Sequence, residues 1–371
     1  MRKRIKFLSS LYLVFFILFR LGGVIRANWD SYSTKYNFKA FEKIYLQSQY
    51  VSLNPSGWIP DEAVYSYAAG AYLRGVNPIL INPEHPPLGK YIISLFILLF
   101  NRANLSVLVF GLLTVFLFFI LGQIVLADAF WSLVSVAILI SERLFVEQFI
   151  YLPLLDIFQL AFIFLSFIFF IKGLTRPRFF LLANLFLGCT SATKFYLTAF
   201  LVLLSWVLFL GVCNKKRKTI FSFFLSLPFI FLVPLASYFR YFMLGGNLRD
   251  FWGVQKWIFL FHQGKNLSPF YFWALVFCNR WRVWWGEKRF ISCVQWQITW
   301  PISILVAFFI SFLFFKKKPF WNNKKIGVII SWFLIYLLFL SVGQVSPRYL
   351  IPLLPFSHLI FVYGVSRRWK R

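Results

Sequence analysis

Apolar residues run in long blocks along this chain, separated by short polar or basic stretches. A helix that crosses a bilayer needs roughly 17–25 largely apolar residues. Ten segments meet or approach that length: 7–25, 105–122, 129–146, 157–171, 179–193, 195–212, 219–238, 300–315, 326–342 and 349–365. An eleventh run, Tyr-Ile-Ile-Ser-Leu-Phe-Ile-Leu-Leu-Phe over 91–100, is too short to cross. Pro86-Pro87 precede it and Asn101-Arg102 end it, so it reads as a re-entrant or interfacial helix. The pattern predicts an all-α polytopic membrane protein with about ten transmembrane helices, forming a single domain over residues 1–371.

Charge orients these spans. Only 13% of the 371 residues are charged, against 60% hydrophobic and 22% aromatic, far below the roughly 25% charged of an average soluble chain. The net charge of +28 sits in short loops, which suits anionic lipid headgroups rather than nucleic acid. Short cytoplasmic loops carry excess Lys and Arg. With 91–100 interfacial, the segments Lys172–Arg178, Lys215–Lys218, Lys316–Lys325 and Arg367–Arg371 all fall on the side of the basic N-terminus. Both termini are then cytoplasmic in a multi-pass cell (inner or plasma) membrane protein. The first apolar run has no small-residue cleavage site and reads as an uncleaved helix.

Two large loops, 26–104 and 239–299, are predicted outside, with small outer turns around Asp156, Lys194 and Arg348. Of the 11 acidic residues only Asp128 is clearly inside. Glu142 and Glu147, at the end of a marginal span, find no explanation in this pattern. The four cysteines show neither metal spacing nor a disulfide framework, and no zinc-type cluster is present.

Two stretches of the first outer loop stand out. Asp61-Glu62 open a run with apolar and small residues at three and four spacings, a short amphipathic helix after Pro60. Acids in a first turn are favoured by the helix dipole, which is a complete structural reason for them. Next comes Asn82-Pro-Glu84-His85-Pro-Pro-Leu-Gly-Lys90, where two prolines restrict the backbone and a glycine permits close approach. Taken alone, that stretch is explained by a rigid turn with solvated charges.

The pairing of an Asp-Glu helix start with Glu-His-Pro-Pro-Leu-Gly-Lys, just after the first span, resembles the protein O-mannosyltransferase family. More broadly it is similar to the multispanning GT-C glycosyltransferases that use polyprenyl-phosphate sugars. Further pieces match in order: Leu155-Asp156; Gly188 through Thr193-Lys194-Phe195; Asp250 through Gln255 to His262; Ser268-Pro269 through Trp273; and Arg348-Tyr-Leu-Ile-Pro352. The resemblance runs from about residue 1 to 365. It departs from the family at Tyr151, where an Arg is usual, and at Asn266-Leu267-Ser268, where His-Pro-Tyr is expected.

The resemblance implies a transferase with a polyprenyl-phosphate sugar donor, mannose by family default, and an outer-face hydroxyl acceptor on protein Ser/Thr, lipid or glycan. It implies Asp61 as general base with Glu62 beside it. Two adjacent carboxylates also offer hard oxygen ligands for Mg or Mn, whereas the mannosyltransferase likeness implies metal-free chemistry. Lys194 and Arg348, with Lys90 as a third candidate, are placed to meet the lipid phosphate, although basic side chains at helix ends also snorkel without any ligand. Asp156 orients the base, binds sugar hydroxyls or caps its helix. Glu84, His85 and His262 are candidate contacts to sugar or acceptor. Trp273, Trp281, Trp284, Trp285 and Trp296 are explained by an aromatic interface belt, with sugar stacking as the alternative for one or two. A lipid-linked substrate transporter is the rival class. Against it stand the lack of a clear internal repeat and the near absence of mid-span charge.

Overall fold

The computed structural model describes residues 2–52, 58–150, 153–213, 217–263, 269–283, 289–316, 323–343 and 345–369. Tyr151, Trp284, Trp285, residues 266–268 and parts of the two basic segments 215–218 and 316–325 lie outside them. The first long helix is α1 (Arg2–Ala27). The first large loop then supplies α2 (Trp29–Ser33), α3 (Phe38–Leu46), α4 (Asp61–Leu73) and α5 (Leu88–Phe100). The bundle continues with α6 (Leu105–Leu126), α7 (Ala129–Ser141), α8 (Arg143–Ile150), α9 (Leu155–Gly173), α10 (Phe179–Thr193), α11 (Leu197–Cys213), α12 (Arg217–Leu225) and α13 (Pro228–Ser237). The second loop holds α14 (Phe239–Met243), α15 (Leu248–Gln263), α16 (Tyr271–Cys278) and a small hairpin, β1 (Trp281–Arg282) with β2 (Phe290–Ile291). The chain ends with α17 (Thr299–Lys316), α18 (Lys324–Val342), a 3-10 turn Pro347–Leu350 and α19 (Leu354–Trp369).

Among the described residues five helices are long and apolar enough to cross a membrane: α1, α6, α9, the α12–α13 unit and α18. Helices α10, α11 and α17 are shorter apolar helices. The span expected at 129–146 is not one helix. It breaks at Glu142 into α7 and α8, which are bent by 69°. The polar run Ser141-Glu142-Arg143 interrupts the apolar pattern there, and Glu142 takes an extended backbone (ψ 119°). The last span also starts later than expected. Residues 347–350 form the 3-10 turn, and the α-helix begins at Leu354.

Helix α9 is the centre of the bundle. Fifteen of its 19 residues are buried, the signature of a helix apolar on every side. Phe170 stacks on Trp206 of α11 at 4.2 Å, and Phe167 meets Phe356 of α19 at 4.8 Å. Helices α10 and α13 approach closely through Gly188, where a Cβ would lie 2.8 Å from the Ile230 carbonyl oxygen.

Helix α5 has 13 residues, a rise of about 20 Å, which falls short of the roughly 30 Å hydrocarbon core. Its end is fixed by Asn101 in the left-handed region (φ 54°). Lys6 of α1 pairs with Asp128, the N-cap of α7. The N-terminal end of α1 and the α6–α7 corner therefore share one end of the bundle. That is the relation expected when 91–100 does not cross.

Candidate active site

At the opposite end, residues from four separate stretches converge. Pro60, extended at φ −74° and ψ 158°, delivers the chain into α4, whose first residue is Asp61. The Asp61 Oδ2 accepts a hydrogen bond from Arg348 Nη2 at 2.8 Å, across 287 positions of sequence. Arg348 is presented by the 3-10 turn, which is held by the Tyr336 hydroxyl donating to the Tyr349 carbonyl at 3.0 Å.

A second pair lies behind the first. Asp156 sits in the first turn of α9, and its Oδ1 accepts from Lys194 Nζ at 2.5 Å. Lys194 ends α10 with an extended backbone (φ −141°, ψ 177°), so its side chain leaves the helix sideways. The other Asp156 oxygen, Oδ2, is buried without a hydrogen-bond partner. Burial pulls the Arg348 guanidinium pKa down, but the Asp156 and Asp61 carboxylates outweigh that and leave it raised. The four groups therefore form one alternating cluster.

The proline-rich turn closes another side. Asn82 adopts a left-handed backbone (φ 51°), and its Nδ2 donates to Glu84 Oε1 at 2.5 Å. Lys90 is fully buried and donates to the carbonyl oxygens of Asn82 (2.7 Å) and His85 (2.8 Å). Burial pulls its pKa down to about 7, opposed by the nearby Glu84 carboxylate. The ammonium acts as an internal clamp that folds the turn over itself. Gly89 lets this clamp dock: a Cβ there would lie 2.7 Å from Leu155 Cδ2 and 3.0 Å from Thr193 Cγ2. Leu155 and Thr193 are the neighbours of Asp156 and Lys194, so this contact seats the turn against the charge cluster.

His262, near the end of α15, completes the wall. Its Nε2 lies 3.1 Å from the Glu84 carbonyl oxygen, and its ring stacks on Phe195 at 3.9 Å. The His85 ring lies 5.7 Å from His262 and 5.8 Å from Tyr65. Glu62, next to Asp61, has its pKa raised, first by burial. Tyr65 is buried and its hydroxyl pKa is raised well above the usual value by burial and by the Asp61 charge.

All nine candidates, Asp61, Glu62, Glu84, His85, Lys90, Asp156, Lys194, His262 and Arg348, thus lie around one region. They differ in what they can do. Asp61 and Arg348 remain partly exposed, whereas Lys90 is spent on backbone oxygens. Three neighbours were missed. Tyr65 stands four residues after Asp61, a spacing that puts both on one helix face. Phe195 follows Lys194 in the matched motif and stacks on His262. Tyr50 has its pKa raised by burial and by the Asp61 and Glu84 charges, and no sequence signal pointed to it. Trp281 and Trp296 have structural places: Trp281 is buried, and Trp296 Nε1 donates to the Val276 carbonyl at 2.8 Å. Trp273 stacks on Phe277 within α16.

One Asp61 oxygen faces a guanidinium, and Glu62 is the next residue on the helix, pointing about 100° away. Among the described residues no three His, Cys, Asp or Glu side chains gather in a way that would hold a metal ion.

These features define an all-α polytopic membrane protein with its charged cluster at one end of the bundle. The solved structures it resembles share that fold. ArnT from Cupriavidus metallidurans in the apo state superposes with a TM-score of 0.59 at 16% identity, covering 84% of this chain and 57% of that one. ArnT bound to undecaprenyl phosphate superposes with a TM-score of 0.61 at 16% identity, covering 83% and 56%. The chain therefore spans a little over half the length of ArnT, and the likeness is one of fold. No protein-family model and no curated protein matches the sequence.

Proposed function

We propose that the chain is a membrane glycosyltransferase that moves a sugar from a polyprenyl-phosphate donor to a hydroxyl acceptor at the outer face of the membrane. The observation that carries the reading is the alternating cluster Asp61–Arg348 and Asp156–Lys194, gathered at one end of the helix bundle. The fold likeness to a protein that binds undecaprenyl phosphate supports the same donor class. Mannose is the proposed sugar, on the motifs shared with the mannosyltransferases. The acceptor is a protein Ser/Thr or a lipid or glycan hydroxyl.

In this reaction Asp61 takes the proton of the acceptor hydroxyl as its oxygen bonds to the anomeric carbon. The bond from that carbon to the phosphate oxygen breaks, and polyprenyl phosphate departs with the electron pair. Arg348 and Lys194 stabilise the charge that develops on it. Phosphate oxygens arriving at Arg348 compete with Asp61 for the guanidinium, so donor binding frees the base. Asp156 holds Lys194 in place. Lys90 and Glu84 shape the turn, and His85 and His262 line the sugar or acceptor side. Arg348 already pairs with Asp61 Oδ2, and we assign the neutralising role to the two basic side chains.

The test is transfer of labelled sugar from polyprenyl-phosphate mannose by purified protein, compared with Asp61→Asn. Equal activity in both proteins removes Asp61 from the reaction. No transfer from any lipid-linked donor overturns the reading as a whole.

A further inference from the structure

Glu142 has no place in the predicted topology and no part in the reaction above, yet it is one of the most deeply buried acids of the chain. It ends α7 at the 69° break. Its Oε2 accepts from the indole Nε1 of Trp300 on α17 at 2.9 Å. Its Oε1 lies 3.2 Å from His358 Nε2 on α19, with both side chains 1% exposed. A hydroxyl pair, Ser303 with Ser357 at 3.2 Å, links α17 to α19 next to it. One carboxylate thus ties the break, α17 and α19 at a single point.

An apolar core would join three helices at lower desolvation cost, because taking a carboxylate out of water is expensive. What a close polar contact beside the Trp300 hydrogen bond adds is direction: it fixes which turn of one helix faces which turn of another. Here the turn it fixes adjoins the charge cluster. Ile351, Leu354 and Pro355 share a small cleft with Glu142, and these residues lie between His358 and the 3-10 turn that carries Arg348. The Trp332 indole donates to the Pro352 carbonyl at 3.1 Å and steadies the same stretch from the far side.

We propose that Glu142 and His358 are positioning residues that set the Arg348 turn, and through it the contact with the phosphate of the lipid donor. The inference rests on the proposed function, since it gives Arg348 a phosphate to hold. The two are separated by measuring binding of undecaprenyl phosphate to the purified full-length protein, alongside its melting temperature. Glu142→Gln keeps the side-chain volume and an acceptor for Trp300 but removes the charge. His358→Gln removes the partner.

Each substitution should weaken undecaprenyl phosphate binding about tenfold, and add little further loss in an Arg348→Lys background, because coupled residues are non-additive. Equal losses in both backgrounds, or unchanged binding, overturn the positioning role while leaving the donor reading intact. Loss of the folded protein in both variants, with Ser303→Ala still folded, makes the pair a stability element and also overturns it. No binding by the wild type removes the donor reading and this inference together.

Discussion

The two large loops, 26–104 and 239–299, are built differently. In the first, α4 buries ten of its 13 residues, and Asp61 stands at the start of an element that is part of the protein core. In the second, α15 buries Phe251 and Ile258 alone among its 16 residues, and Trp252, Trp257, Phe259 and Phe261 remain exposed. It leans on the rest through a few points: His262 on Glu84 and Phe195, and the Tyr196 hydroxyl on the Gln255 carbonyl at 3.4 Å. Nearby, Arg240 Nε of α14 donates to the Gly75 carbonyl at 3.0 Å and joins the two loops directly. The group proposed to move a proton is thus rigidly seated, while the group proposed to meet a substrate sits on a lightly held helix. Catalytic precision needs the first arrangement, and entry of a bulky lipid-borne substrate is eased by the second.

The largest expected effect tests the rigid side. Asp61→Asn should lower sugar transfer by about 100- to 10,000-fold, the range of general base removal. Folding should change little, as read by melting temperature, and undecaprenyl phosphate should bind at least as tightly as to wild type, because the neutral amide competes less for Arg348. Next is Lys90→Met, which strips the clamp and takes the ammonium donor away from the Asn82 and His85 carbonyls inside the protein. Removing a partner from such groups costs about 1–3 kcal/mol each, so a drop of several degrees in melting temperature is expected together with lost activity. Unchanged stability would show that the turn does not need its lysine.

The loosely held side should respond less. His262→Ala is expected to raise KM for the acceptor or donor about tenfold or less, with a smaller change in kcat. A loss as deep as that of Asp61→Asn would erase the contrast between the loops.

The smallest effect concerns pH. The Glu62 pKa is raised on folding, so above its unfolded value the folded state binds the extra proton. Its burial therefore lowers stability progressively as pH rises from about 4.5 through the folded value. Glu62→Gln should melt slightly higher than wild type at pH 7 and match it at pH 4, while retaining most of its activity. An equal shift at both pH values would assign the change to something other than ionisation.

The sequence made some of this legible and hid the rest for physical reasons. Spans such as 105–122 and 157–171 were readable because lipid demands continuous apolar runs. The break at Glu142 was not, because a lone acid at a span end gives no hint of a histidine and a tryptophan more than 150 positions away. The motif resemblance pointed to Asp61, Asp156, Lys194 and Arg348, but not to the pairing. That Asp61 meets Arg348, and Asp156 meets Lys194, is set by how four elements pack. Lys90 showed the opposite failure. A lysine beside a turn reads as an exposed phosphate ligand, and only burial reveals that its protons are spent on carbonyl oxygens.

The broken third span also bears on the bilayer around the protein. Helix α7, with 13 residues, rises about 20 Å before the chain turns aside, whereas α6, with 22, rises about 33 Å. A bilayer matched to both helices would be thinner beside α7 than beside α6. The dent falls next to the turn that carries Arg348. On the proposed function, a headgroup drifting into it would descend toward the charge cluster without leaving the leaflet, and sugar transfer should then run faster in thin bilayers than in thick ones.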